Sequence, residues 1–204
     1  MGARRAPARR TQQERREGTI RKLLDAATGA LIDVGYAAAS VQVICERAGL
    51  SQGALFRHFP TREALMVAVG EDVGRQTLER YRHDFARLRG EADPRDLAMR
   101  LVRTRCRSRV NQAWYELAMA ARTSPRLRRG LRPVAATYYR DIERLARETL
   151  PDLAAQLGER FPLLVDTIIA VFDGETLHRF VLPKPGLENA RIELLGLLAR
   201  SFGA

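Results

Sequence analysis

Between Ser40 and Phe59 two amphipathic segments of about eight residues flank the turn Ala48-Gly49-Leu50-Ser51, and that corner limits the folds open to the chain more than any other feature. Helices this short do not persist alone in water, so each must be held by packing. Ser40 is positioned as an N-cap ahead of Val41, Ile44, Cys45 and Ala48, whose spacing gives one apolar face. Gly49 supplies the positive φ of a sharp bend, Leu50 points into the corner, and Ser51 caps the second segment, residues 52–59. Two short helices around a Gly-containing turn of three or four residues have the form of a helix-turn-helix.

The flanking sequence continues the pattern. Ile20, Leu23, Leu24, Ala27, Leu31 and Val34 form one face of a helix starting near Thr19, with Gly35 placed to end it. Pro60 breaks the chain and Thr61 caps a longer helix beginning at Arg62. Beyond it no period-two alternation is sustained, and there is no internal repeat. Helices are expected at residues 62–89, 95–109, 111–122, 125–150, 160–182 and 187–202, with breaks at 90–94, Ser124-Pro125, Pro151 and 183–186. Aromatics are only 6% of the chain, so its core rests on Leu, Ala, Val and Ile, residues that suit helices.

Lys plus Arg is 35 against 24 Asp plus Glu, a formal charge of +11 that favours polyanionic partners. Residues 1–16 carry six Arg and one Glu with no apolar period, and read as a disordered basic arm, either solvated or set against phosphates or a minor groove. That arm holds all the surplus of residues 1–69, so the three-helix unit is itself nearly neutral. Charge peaks again over residues 80–132, with fifteen Arg against five acids. Cys45 and Cys106 have neither disulfide-framework nor metal-ligand spacing, which fits a reducing cytoplasm. No apolar segment follows the basic N-terminus as in a signal peptide, and the apolar stretch 161–172 is interrupted by Asp166 and too short to span a bilayer. A cytoplasmic location with no membrane partner is expected.

The run from Gly35 to Leu65 resembles the N-terminal domain of the tetracycline-repressor (TetR) family of bacterial transcription regulators. Gly35-Tyr36, Ser40, Ile44, Glu46, Ala48-Gly49-Leu50-Ser51, Gly53, Leu55, His58-Phe59 and Arg62-Glu63 match the family pattern in register. Phe56 stands where the family usually has Tyr, Cys45 where it has Ala, and Ala39 replaces the first residue of a frequent Thr-Thr pair. The resemblance implies an all-α fold: an N-terminal three-helix DNA-binding domain over residues 17–77, with its motif at 40–59, then a helical effector-binding and dimerisation domain over 78–204. It implies a homodimeric repressor, released from a palindromic operator in double-stranded DNA by a small-molecule effector. A ligand-dependent activator, or a DNA binder without effector, is the alternative.

On residues 52–59, Leu55 and Phe59 are four apart and face inward, which leaves Gln52, Gly53, Phe56 and Arg57 toward solvent or DNA. Gln52 suits adenine, Phe56 a thymine methyl or sugar, Arg57 a phosphate or guanine, and Gly53 admits close backbone approach. Ser40 and Ser51, at helix starts, can bind phosphate. The resemblance gives the same role to His58 and Arg62. His58 can instead be a core-edge histidine, and Tyr36 can either offer its hydroxyl to a phosphate or pack on the first helix.

In the second domain Arg100, Arg103 and Arg107 share a helical face, either solvated or DNA-facing, or lining a pocket for an anionic effector. The pocket implied by the resemblance has as candidates Trp114, Tyr115, Met119, Tyr138, Tyr139 and Phe172, with Arg103, Arg107 and Asn111 as polar partners. Each aromatic can equally be core. The last two helices are apolar on several sides, and Leu164, Ile168, Phe172, Leu194, Leu198 and Phe202 are the expected dimer contacts. Glu175 and His178 form a single ExxH pair without the second pair that a carboxylate-bridged metal site needs. With no phosphate loop, dinucleotide glycine motif or nucleophile elbow either, no enzyme, metal or cofactor is expected.

Overall fold

A computed structural model describes residues 11–87 and 94–201. Among them are ten α-helices: α1 (Gln12–Ala38), α2 (Val41–Ala48), α3 (Gln52–His58), α4 (Arg62–Ala86), α5 (Pro94–Cys106), α6 (Arg109–Thr123), α7 (Pro125–Thr149), α8 (Pro151–Leu157), α9 (Phe161–Arg179) and α10 (Pro185–Ser201). A 3-10 turn, Gly158–Arg160, joins α8 to α9.

Local signals set most of the boundaries. Ser40, Ser51, Thr61, Ser108 and Ser124 each accept a hydrogen bond from a backbone amide in the first turn of the helix that follows. Gly49 ends α2 in the left-handed region at φ 64°. Gly35, at φ 76°, kinks α1 near its end, and a Cβ there would lie 3.2 Å from the Glu116 carboxylate.

Four expectations shift. Residues 12–16, expected in a disordered arm, form the first turn and more of α1, because Thr11 and Glu14 make a capping box; the rest of that arm lies outside the described residues. Val34, expected on the apolar face of α1, is exposed. The break after α5 falls at Ser108 rather than at Val110. Pro151, taken as a stop, occupies the first position of α8, where its missing N–H costs nothing.

The largest core cluster joins Leu23, Ala27, Ala30 and Leu31 of α1, Ile44 of α2, Leu55 of α3 and Leu65, Met66 and Val69 of α4 to Ala113 and Leu117 of α6 and Leu127 and Leu131 of α7. The expected boundary at 77–78 therefore falls inside α4, and the three-helix unit shares its core with later helices. A second cluster packs Leu78, Tyr81 and Phe85 of α4 on Ala98, Ile142, Leu145 and Ile169. A third holds Phe172 of α9 against Met99, Cys106 and Ile192.

α4 and α7 cross closely because glycine sits on both sides. A Cβ on Gly130 would strike the side chain of Val67, and one on Gly70 would come within 2.8 Å of Leu131 Cδ2. Gly130→Ala gains about 1 kcal/mol of helix propensity, yet overpacking against the stiff, β-branched Val67 costs about 1–3 kcal/mol. We expect the substitution to lower stability in urea unfolding, and to be neutral or stabilising when Val67 is also Ala.

Candidate nucleic-acid interface

α3 presents Gln52, Gly53, Phe56 and Arg57 to solvent and buries Leu55 completely. Phe56 is 44% exposed, a large apolar ring left in water on the same face as Gln52 and Arg57. Among the described residues nothing engages the side chains of Gln52 or Arg57. The face therefore offers an amide, a guanidinium and an aromatic ring around a glycine, a set suited to base edges and sugar.

Ser40 and Ser51 are exposed, and their oxygens accept from the amides of Val43 and Ala54, each at 3.2 Å. Each hydroxyl keeps its own proton to donate to a phosphate oxygen. His58 closes α3 and is half-buried.

Arg62 departs from its expected place. Its guanidinium turns inward: Nε donates to Ala39 O at 3.0 Å, Nη2 donates to Tyr36 O, and the group stacks 4.1 Å from the centre of the Tyr36 ring. With two of its five N–H donors it fastens the α1–α2 junction to the start of α4. The Tyr36 ring is taken up by the same stack, and its amide donates to Glu116 Oε2 at 2.9 Å.

α6 thus grips the end of α1 at two points, seven residues apart on one face. Besides Glu116, Arg109 Nη2 donates to Asp33 Oδ1 at 2.5 Å, while Arg47 of α2 donates to Asp33 Oδ2 at 2.7 Å. Hydrogen bonding from Arg47, opposed by some desolvation, holds the Asp33 carboxyl below its ordinary range. Farther along, Arg21 makes a bidentate pair with the buried Asp72 of α4, at 2.8 and 2.6 Å, joined by Arg75 and Gln76. Burial alone would raise the Asp72 pKa, yet these donors hold it low. Only Arg75 and Gln76, three and four residues after Asp72 on α4, stand at a spacing that signals a pair; the other partners are far apart in the chain and share no motif.

The effector candidates are divided. Asn111, Trp114 and Tyr138 meet at a cavity of about 20 Å³ against Gly70, Val73, Gly74 and Thr77 of α4. Tyr115 is buried, donating to Asp173 Oδ1 at 2.7 Å and receiving Asn111 Nδ2 at 2.9 Å. Burial raises the Asp173 carboxyl and the Tyr115, Tyr138 and Cys106 pKa values, so the phenols and the thiol stay protonated at neutral pH. The other candidates lie elsewhere. Met119 and Tyr139 are exposed, and Phe172 is fully buried in the third core cluster. Arg103 donates to Glu188 O at 2.5 Å, and Arg107 pairs with Glu175 and, at 3.1 Å, with Glu188. These bonds fasten α9 and α10 to α5 and the turn that follows it. A second cavity, of about 60 Å³ and almost wholly apolar, lies among α5, α7, α8 and α9, and includes Leu164 and Ile168 in its wall.

Of the expected dimer contacts, Phe172 is therefore internal, Leu164 and Ile168 are half-buried, and Phe202 lies outside the described residues. Leu194 and Leu198 are exposed, together with Leu163, Phe180, Leu187 and Leu197. Glu175 of the ExxH pair is locked between Arg107 and Arg191. Among the described residues no three His, Cys, Asp or Glu side chains gather to hold a metal ion, and no helix is long and apolar enough to cross a membrane.

The family described as bacterial regulatory proteins, tetR family, matches residues 23–69. An HTH-type transcriptional regulator of Mycobacterium tuberculosis strain H37Rv is 41% identical over 189 residues, 93% of this chain and 96% of that one. Among solved structures, the multidrug binding protein EbrR complexed with imidazole is similar at a TM-score of 0.65 and 27% identity, over 88% of this chain and 93% of that one. A TetR-family member from Streptomyces coelicolor A3 is similar at 0.63 and 27%, over 88% and 97%.

The geometry separates Arg62, which holds α1 to α4, from Gln52, which stands unengaged on the exposed face of α3. Arg62→Ala leaves two carbonyls without their donor and is expected to cost about 1–3 kcal/mol of stability. Gln52→Ala is expected to stay within about 0.5 kcal/mol of the parent, as an exposed substitution does, while weakening DNA binding. Urea unfolding and fluorescence anisotropy on the same two variants check both.

Proposed function

Because the chain belongs to the tetR family of bacterial regulatory proteins, and is a DNA-binding transcription regulator and not an enzyme, we propose that it acts in the cytoplasm as a homodimeric repressor that a small molecule releases from an inverted-repeat operator. The observation that carries this reading is the continuity of α4. It starts directly after the recognition helix α3, at Arg62, and runs past the cavity lined by Asn111, Trp114 and Tyr138. A space of about 20 Å³ admits roughly one water. An effector entering there must push α4 away from α6 and α7, and α3 moves with it. Coupling of about 1–3 kcal/mol suffices to change operator affinity severalfold to a hundredfold.

Residues 17–77 are the reading unit in this proposal, and residues 78–204 the effector and dimerisation unit, with α4 common to both. Gln52, Gly53, Phe56 and Arg57 face base edges and sugars, and Ser40, Ser51 and His58 face phosphates. Tyr36 and Arg62 act by positioning. The exposed apolar side chains of α9, α10 and the turn between them, Leu163, Phe180, Leu194, Leu197 and Leu198 among them, support a homodimer. The similarity to a multidrug binding protein supports a small-molecule effector.

The test is selection of binding sites from a random duplex library with purified protein at a fixed salt concentration. The expected product is an inverted repeat whose half-sites lie about 34–36 Å apart or somewhat more. Recovery of single, unpaired half-sites would overturn the dimer, and recovery of no motif would overturn sequence-specific repression.

A further inference from the structure

We propose that the α6–α7 turn carries a second DNA-contacting surface, made of Arg122, Arg126, Arg129 and Arg132, which holds phosphates beside those reached by the helix-turn-helix. The inference rests on DNA binding by α3 but adds a site outside the reading unit.

Arg80, Arg82 and Arg87 of the α4 end and Arg100 of α5 are exposed; two further groups make up most of the arginine surplus of residues 80–132. At the end of α5 and just after it, four arginines are taken up by partners within the chain. Arg103 bonds Glu188 O, Arg105 pairs with Asp84 at 2.9 Å, Arg107 with Glu175 and Glu188, and Arg109 with Asp33. Around the α6–α7 turn the opposite holds. No Asp or Glu occurs between Glu116 and Asp141, while Arg122, Arg126, Arg128, Arg129, Arg132 and Arg140 do. Arg128 caps the end of α6 through Ala121 O and Arg122 O. The side chains of Arg122, Arg126, Arg129 and Arg132 are exposed and have no ionic or hydrogen-bonding partner among the described residues. Glu63 and Glu71 of the facing α4 form no ion pair with them.

Their position selects the partner. Leu127 and Leu131, interleaved with these arginines, lie in the same core cluster as Leu55 of α3 and Ile44 of α2. Gly130 meets Val67 in the second turn of α4, two turns from where α3 ends. Arg126, Arg129 and Arg132, three residues apart, share one side of α7, which leaves Leu127 and Leu131 free to face inward. An unneutralised cation cluster fixed to the core of a DNA reader fits the DNA backbone, which carries one charge per about 1.7 Å of helix axis. It also answers a shortage, because the reading unit is nearly neutral once its N-terminal arm is set aside.

The test uses the full chain with two duplexes that extend past both half-sites, one carrying the enriched repeat and one scrambled. R126S/R129S/R132S removes three charges and leaves Ser124, Leu127 and Leu131 intact. R80S/R82S/R87S removes three exposed charges from the far half of α4, beginning roughly 27 Å from its start at 1.5 Å per residue. Thermal unfolding of both variants confirms that they fold. For the first variant the slope of log Kd against log salt is expected to fall by about 2.7 for each protomer bound, at roughly 0.9 for each of the three phosphates no longer neutralised. Affinity should fall about tenfold or more on both duplexes, with the ratio between them unchanged; the second variant should match the parent. A parental slope in the first variant, or an equal loss in both, would overturn the proposal. A parent protein that binds neither duplex would instead sink DNA binding by α3 itself.

Discussion

The helix α3, proposed to read DNA, has seven residues and one fully buried side chain, so the placement of Gln52, Phe56 and Arg57 depends on the packing of Leu55 into the core that α1, α2, α4, α6 and α7 build together. A helix this short has no stability of its own. Its orientation is inherited from the cluster beneath it. Leu117 and Leu131, more than sixty residues downstream, are as much a part of that cluster as Ile44 and Leu65. A change in how α6 and α7 sit on α4 is therefore a change in the seat of α3, without any separate signalling element.

Polar contacts fix the same assembly where apolar packing is non-directional. Arg62 holds the carbonyls of Tyr36 and Ala39, Glu116 takes the Tyr36 amide, Asp33 joins Arg47 to Arg109, and Asp72 joins Arg21 to Arg75. Most of these join α1 or α2 to α4 or α6. They specify one arrangement of helices whose leucines alone would tolerate several. Of the arginines of α5, Arg103 ties it to α10 and Arg105 ties it to α4, whereas Arg122, Arg126, Arg129 and Arg132 at the α6–α7 turn stay in solvent.

What the sequence made legible was local. The caps at Ser40, Ser51 and Thr61, the left-handed Gly49 and the inward Leu55 follow from residue type and spacing, and they stand where the pattern put them. The Thr11–Glu14 capping box was equally visible, but the density of arginine around it made those residues read as an arm. Pro151 is ambiguous in sequence, because proline is a stop inside a helix and a start at its first position. The inward turn of Arg62 and the grip of Glu116 were not legible, since their partners lie 26 and 80 residues away and no spacing rule links them. Phe172 shows the limit of apolar patterning. It marks a buried face, but not whether the burying surface belongs to the same chain or to a second copy.

The claim most exposed to test is that the DNA reader and the α6–α7 pair form one cooperative unit. Native-state amide hydrogen exchange on Leu117→Ala measures it directly, since truncating this fully buried residue costs about 2–5 kcal/mol. If the core is shared, the opening free energies of the amides of Ile44, Leu55 and Phe59 fall together with those of Leu127 and Leu131, by the same amount. If α2 and α3 keep their parental protection while α6 and α7 lose theirs, the reader folds on its own and the shared core does not position α3.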